Sequence, residues 1–361
     1  MQLSRFICLK ALRLKINKMP KKKSKNDAVI LVVSGDSAFN IPLETTFKEL
    51  GFQVSIFDYR KSSLIEKLIF VTSLLITSTR NKNIEIRNKK LINLASKKRA
   101  AILFVSKGEL IHASTIKSIR KLGTITINWF ADLLDLYPSL INVLASYDYV
   151  FTPNKDDIKK YKKRINLYHL PLGGFALSQK PDFENRKYDV SFIGVWSRQR
   201  EKMMDTIKDF NPAIWGSKQW SYSRVREFFR GRWLTPQEVL QVIQNSKIVV
   251  NIHQVDPTIG TTLNMRTFEA TANGALLLTD YRKDLPRLFK IQNINKEVVI
   301  YKDFQDLKRK IQNYLTNDHE RIEIAKRGFL KTIKHHNFKT RINKIFSIIH
   351  KNKVPLLNKY A

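Results

Sequence analysis

The sequence predicts an α/β protein of two tandem Rossmann-like domains, each a mainly parallel sheet with helices on both faces. Two observations predict it. Short continuous apolar runs, at 28–34, 101–106, 188–193 and 248–252, alternate with longer segments of helical spacing. A parallel strand covered on both faces reads as such a run, and strand–helix alternation marks a parallel sheet. The alternation also breaks once: Pro171-Leu-Gly-Gly174 and the polar stretch after it interrupt the pattern, which restarts at Tyr188. The expected organisation is a basic leader without fixed structure (1–26), an N-terminal domain (27–171), a linker (172–187), a C-terminal domain (188–336), and a last helix crossing back with its tail (337–361). The carboxyl edges of the two sheets are expected to face each other across a cleft.

In chain order, 28–34 is the first strand, Gly35-Asp36 a tight turn, then a helix to Leu50 and a strand at 52–58. This unit lacks the G-x-G-x-x-G of dinucleotide-binding proteins, which argues against a nicotinamide enzyme. The apolar run 64–76 holds Glu66 and Lys67 and is too short to span a bilayer, so it reads as a core helix. A basic helix at 84–98 precedes the strand 101–106. A helix ending at Leu122-Gly123 leads to a strand at 124–130, which is followed by a strand at 147–152, a helix opened by Pro153-Asn154 and a strand at 167–170. In the second half, the strand 188–193 ends in Gly194, and a helix begins near 197–200. Residues 213–216 form a short strand and 221–230 an arginine-rich connecting helix. Thr235-Pro236 open a helix to Asn245, with proline at its first position. A strand, a polar loop with His253, Pro257 and Gly260, and a helix at 264–272 closed by Asn273-Gly274 follow, then a strand at 275–279. A short helix at 284–289, a strand at 296–301 and helices at 303–315, 319–334 and up to 350 complete the chain.

Composition bounds the function. With 43% hydrophobic residues in 361, the chain can bury two cores and is not a disordered protein. A single cysteine, Cys8, excludes an internal disulfide and suits a reducing cytoplasm. No Cys/His cluster has zinc spacing, and His335-His336 lacks a third ligand beside it, so no metal is expected. The formal net charge is +34, which draws polyanions toward the chain. The lysines are spread among apolar helix positions, and part of the excess is a bias toward Lys, Asn and Ile. Residues 1–26 hold nine Lys or Arg and no acid. The expected location is cytoplasmic, with peripheral attachment to an anionic membrane surface at its inner face. Nucleic acid is not an expected partner.

The chain is organised around residues 246–280. Here a buried strand, a loop and a helix start bring together His253, Asn264, Arg266 and Glu269. Open α/β sheets take ligands at the carboxyl ends of strands and at helix N-termini. The run Arg266-Thr-Phe-Glu269-Ala-Thr-Ala-Asn-Gly274-Ala-Leu-Leu-Leu-Thr-Asp280 resembles the R-x-F-E-x-x-A-x-G-x-x-x-x-T-D signature of CgeB-like glycosyltransferases, a family named for a spore-maturation protein. The resemblance extends to Tyr188–Gly194 with Arg200 and to His336 and Arg341. It covers the C-terminal half well and the N-terminal half weakly. It implies the GT-B fold, a glycosyltransferase activity that needs no metal, and no permanently bound cofactor. The donor would be a nucleotide-diphosphate sugar and the acceptor a glycan, a lipid-linked glycan or a protein, as in the assembly of a cell-surface glycan. The C-terminal domain would hold the donor and the N-terminal domain would present the acceptor.

Residue roles follow in part from chemistry. Glu269, on the first turns of its helix, is placed to accept hydrogen bonds from a ribose diol, and Arg266 and free N–H groups to hold a diphosphate. The plain alternative is a surface glutamate with a solvated arginine beside it. Gly194, Arg198 and Arg200, at a strand end and helix start, suit the same diphosphate. Gly216 would border the base, with Trp215 either stacked on it or in the core. Family members carry a Trp-Phe-x-Asp segment like Trp129-Phe-Ala-Asp132, which makes Asp132 the candidate acceptor-side base; an Asp after a strand is also a common helix N-cap. His253 is the second catalytic candidate, toward the transferred sugar or a phosphate, or else an exposed loop histidine. Many retaining relatives carry a second Glu eight residues before the ribose Glu. Here that position is Thr261, so the sequence assigns neither retention nor inversion. The rival from another class is a catalytically inactive basic protein of the same fold that docks on anionic membrane or nucleic acid.

Overall fold

The computed structural model describes residues 29–34, 37–59, 77–231, 233–253 and 261–351. The expectations for 1–26, Gly35-Asp36, 64–76, Arg232, Pro257, Gly260 and the tail beyond 351 lie outside the described residues. The chain forms two compact units, Met1–Leu170 with Ile342–Ala361, and Pro171–Arg341. Residues 172–187 thus fall within the second unit.

The first unit runs β1 (Val29–Ser34), α1 (Ser37–Glu49), β2 (Gln53–Phe57), α2 (Thr77–Lys98), β3 (Ile102–Ser106), α3 (Ala113–Lys121), β4 (Ile125–Trp129), two 3-10 turns, α4 (Ile141–Leu144), β5 (Tyr149–Thr152), α5 (Lys155–Tyr161) and β6 (Leu167–His169). The six strands are parallel in the order β2-β1-β3-β4-β5-β6. Burial is total along β1 and β3, which is why both read as unbroken apolar runs. One face packs Leu91, Ala95, Ile116, Ile119 and Leu144 against Leu103, Val105 and Val150. Helix α2 starts at Thr77, earlier than the sequence suggests. Its first turns are polar, and helical spacing of apolar residues appears only from Ile84. At the end of β5, Asn154 caps α5, and the buried Asp157 accepts from Thr152 Oγ1 at 2.9 Å and Asn154 Nδ2 at 3.0 Å. Burial raises the Asp157 carboxyl from 3.8 to about 6, against the hydrogen bonds from Thr152 and Leu134.

The second unit runs β7 (Tyr188–Gly194), α6 (Arg198–Thr206), β8 (Ala213–Gly216), α7 (Pro236–Gln244), β9 (Ser246–Asn251), α8 (Met265–Ala272), β10 (Leu276–Asp280), α9 (Leu285–Leu288), β11 (Val299–Tyr301), α10 (Phe304–Thr316) and α11 (Asp318–His335). Its five strands are parallel in the order β11-β10-β9-β7-β8. Thr235 and Glu238 close a capping box around Pro236. The expected helix at 221–230 is absent. The chain forms 3-10 turns at Lys218–Tyr222 and Arg226–Phe228, then an extended Phe229 that bridges Ile214. Trp220 and Val225 are both fully buried, and covering the edge of β8 requires this broken path. Trp215 is a core residue, edge-on to Tyr188 at 5.2 Å.

A last helix, α12 (Phe338–Lys351), starts in the second unit and continues in the first, where Phe346 packs on Phe47 and Phe52. Its start is tied by His336 and Arg341. His336 Nε2 donates to Leu288 O at 2.8 Å, and Nδ1 accepts from Arg341 Nη2 at 3.2 Å, while Arg341 Nε donates to Leu172 O. These partners fix a neutral ring. Burial pushes the imidazole down to about 4, against the Leu288 hydrogen bond. Gly174 lies so close to α8 that an added Cβ would sit 2.6 Å from Phe268 O.

His336 and Asp157 therefore contribute to stability with opposite pH dependence. Below about 6.5 the unfolded chain protonates His336 and the folded one does not, so stability falls as pH drops from 6.5 to about 4, by on the order of 3 kcal/mol. Asp157 keeps its proton longer in the folded state, so its contribution to stability is lost as pH rises from about 4 to 6. Denaturant titrations of His336→Gln and Asp157→Asn against wild type should give stability differences that change with pH in opposite senses. Parallel pH profiles would contradict the assignment.

Candidate functional site

The strand order of the second sheet reverses between β7 and β9, and ligands of open α/β sheets sit at the carboxyl ends flanking such a reversal. Arg200 spans this point. Its buried guanidinium donates from Nη1 to Val195 O at 2.9 Å and from Nη2 to Ile252 O at 3.2 Å, lying over the Phe192 ring. Burial lowers its pKa, while Asp280 nearby works the other way. Arg200 thus braces the two loops. Arg198, the first residue of α6, is exposed, with no side-chain partner among the described residues. Ser197 caps this helix by accepting from Arg200 N.

Gly194 and Gly216 face each other at the ends of β7 and β8. Gly216 has φ +150°, and an added Cβ would lie 1.8 Å from Gly194 O, which also accepts from Trp220 Nε1 at 2.9 Å. Close backbone approach requires the glycine here, and the backbone it meets is the protein's own.

Helix α8 supplies the other side. Asn264 caps it, accepting at Oδ1 from Thr267 N, and exchanges amide hydrogen bonds with Asn251 at the end of β9. Of the helix's orphan first N–H groups, those of Met265 and Arg266 have no acceptor among the described residues. Glu269 is buried rather than a surface helix residue, and its Oε2 accepts from Arg266 Nη1 at 2.6 Å. Arg266 Nε is buried without a partner. The pair places a carboxylate and a cation beside free helix N–H groups, the chemistry that a diol and a diphosphate need.

His253 is not an exposed loop residue. It is buried, its N–H and Nδ1 both meet Asp280 Oδ1 at 3.0 and 2.6 Å, and its Nε2 accepts from Asn264 N at 3.2 Å. An Nε2 that accepts must be unprotonated, so the ring is the neutral Nδ1–H tautomer with both nitrogens engaged. The other Asp280 oxygen takes Arg282 through Nε at 3.1 Å and Nη2 at 2.9 Å. Burial opposes the charge of Asp280, but His253 and Arg282 outweigh it and hold the pKa low. Thr261, where a second Glu stands in many relatives, is buried and donates to Asp284 Oδ2 at 3.3 Å.

In the first unit, Asp132 caps no helix. It pairs with Lys107 at 2.7 Å, and Lys107 also donates to the Tyr137 hydroxyl at 3.1 Å. Burial disfavours the ammonium, yet the bonds to Asp132 and Tyr137 raise it to about 12. Asp132 is not brought together with His253 within one unit. Sequence reasoning passed over Lys107, Arg282 and Asp280 as site residues. Asp280 closes the signature and stands at a strand end, the one signal available. Among the described residues no three His, Cys, Asp or Glu side chains gather as metal ligands, and no helix is long and apolar enough to cross a membrane.

Comparison with known proteins bears on the fold. Residues 198–347 match the family described as glycosyl transferase-like. No curated protein matches the chain in sequence. Among solved structures, an α-glucosyltransferase in complex with UDP and a 13-mer DNA aligns with TM-score 0.61 at 12% identity, over 89% of this chain and 99% of that one. Sucrose-phosphate synthase from Thermosynechococcus elongatus aligns with TM-score 0.57 at 10% identity, over 90% and 98%. An α,α-trehalose 6-phosphate synthase from Burkholderia multivorans aligns with TM-score 0.52 at 11% identity, over 91% and 100%. The fold is GT-B, and the segment similar to the glycosyl transferase-like family lies in its C-terminal half.

Asp280→Asn should cost about 3 kcal/mol, because Arg282 would keep a buried charge without its carboxylate. Urea unfolding checks this; a variant as stable as wild type would show that the network does not hold the site.

Proposed function

We propose that the chain is a glycosyltransferase of the CgeB-like kind that uses a nucleotide-diphosphate sugar. The observation that carries this reading is the pair of half-buried Arg266 and buried Glu269 beside the N–H groups of α8 that are free among the described residues, at the carboxyl edge of a parallel sheet. Glu269 accepts from the ribose hydroxyls, releasing Arg266 toward the diphosphate. Arg198 and the N–H groups of α8 meet the remaining phosphate charge. Asp132 belongs to the acceptor side. In transfer, the bond between the sugar's anomeric carbon and the diphosphate oxygen breaks, and a bond to an acceptor hydroxyl oxygen forms as that hydroxyl loses its proton. The charge left on the diphosphate is what the cations and N–H groups stabilise. His253 is read as a positioning residue, since both ring nitrogens serve Asp280 and Asn264. The net charge of +34 supports work at the inner face of an anionic membrane on a cell-surface glycan.

A thermal-shift panel of UDP, GDP, CDP, dTDP and ADP tests the donor site. One nucleotide should raise the melting temperature of wild type, Glu269→Ala should abolish the response, and Arg198→Ala should weaken binding roughly tenfold, as loss of one charge-assisted hydrogen bond does. If no nucleotide shifts the transition and salt-sensitive binding to DNA or anionic vesicles appears, the chain is a binding protein that keeps the fold.

A further inference from the structure

The edge of the second sheet at β8 carries cations and aromatic rings that the candidate site does not use. After β8 the chain turns back along the open side of this edge strand: Phe229 bridges Ile214, and Arg230 N donates to Ile214 O at 2.8 Å. Buried Trp220 and Val225 anchor the segment. Lys218, Arg224, Arg226 and Arg230 are exposed, and none has a side-chain partner among the described residues. The one acid of the segment, Glu227, pairs with none of them. Elsewhere in this unit Lys247, Arg287, Lys296 and Lys310 each meet a carboxylate within 3.0 Å. Tyr222 is 76% exposed and Trp233 53%. Of the other tryptophans, Trp129, Trp215 and Trp220 are buried and Trp196 is half-buried. At the amino end of β8, Arg230 and Lys187 line a cavity of about 400 Å³ walled by Tyr188 and Phe210. Lys187 is exposed, lies 5.4 Å from the centre of the Tyr188 ring and has no carboxylate partner among the described residues.

We infer that this edge docks on an anionic lipid surface, with a headgroup phosphate seated in the cavity lined by Lys187 and Arg230. The inference rests on the membrane part of the proposed function and names the face that meets the membrane. A guanidinium without a carboxylate can give two donors to one phosphate. Tyrosine and tryptophan join an apolar body to a polar tip, which suits the headgroup level of a bilayer. The cavity alone is a weak site, and a surface that presents many headgroups engages the cavity and the edge cations together. A nucleic acid strand is followed by a charged groove, whereas these cations stand along the outer side of a four-residue edge strand.

The full chain is sedimented with vesicles of mixed phosphatidylglycerol and phosphatidylcholine and with vesicles of phosphatidylcholine alone, and the nucleotide thermal shift is run beside it. Wild type should bind the anionic vesicles only, and less as salt rises. A Lys or Arg near such a surface strengthens binding about fivefold, so Arg224→Gln/Arg226→Gln and Lys187→Gln/Arg230→Gln should each weaken it roughly thirtyfold. These four side chains are exposed, so the fold and the nucleotide response should stay unchanged. The control pair Arg309→Gln/Lys326→Gln removes the same charge from exposed positions on α10 and α11, which pack on β11 and β10, and should hardly weaken binding. Brominated lipid should quench tryptophan emission, and Trp233→Phe should remove most of that quenching. Equal losses in the control and edge pairs, or edge pairs that bind like wild type, would overturn the inference and leave the membrane reading standing. DNA binding through the same residues without vesicle binding would overturn both, as would a wild type that binds no vesicles. Vesicle binding that follows the edge pairs in a chain with no nucleotide response would strike the transferase reading and leave this surface standing.

Discussion

The candidate site of the second unit depends on one carboxylate. Asp280 accepts the backbone and ring N–H groups of His253 on one oxygen and a two-pronged Arg282 on the other. Burial raises its pKa, and the bonds and charges of His253 and Arg282 outweigh that and hold it low. Through His253 Nε2 the same carboxylate reaches the N-cap of α8. The ends of β9 and β10 and the start of α8 are thereby held in one geometry, which sets where Arg266 and Glu269 stand. The site's cation and carboxylate are positioned by a group that need not touch a ligand.

The arginines divide by exposure. Arg200 and Arg341 are buried, and their donors serve backbone carbonyls at loop ends. A guanidinium suits this task because its planar fork is always charged and reaches several acceptors at once. Arg198 stays exposed at a helix start, and Arg266 is tied to a carboxylate rather than to the backbone. A ligand can meet Arg198 without displacing a partner and Arg266 only in exchange for Glu269, whereas withdrawing Arg200 would leave the carbonyls of Val195 and Ile252 without its hydrogen bonds. Gly216 and Gly174 belong with the braces, since each marks a place where backbone meets backbone too closely for a side chain.

The parallel sheets were legible because burial on both faces writes each strand as an apolar run, as along β3 and β9. Caps were legible too: Asn264, Thr235 and the Asn273-Gly274 pair stand where local chemistry requires them. The connecting segment 221–230 was misread as a helix because its shape is set by Ile214, across the sheet edge, and not by its own spacing. Arg200 and His253 were found by position, but their partners lie 52 and 27 residues away, beyond any local pattern. Lys107 gave no sequence signal, since its left-handed backbone follows from bonds made after folding.

Hydrogen–deuterium exchange with and without the stabilising nucleotide diphosphate would test the central claim most directly, because it locates the ligand. The account predicts protection concentrated in peptides covering 194–200 and 264–272, at the starts of α6 and α8, and little change at the amino ends of β7 and β8 around Lys187, Phe210 and Arg230. Protection at that opposite edge, or none at the helix starts, would contradict it.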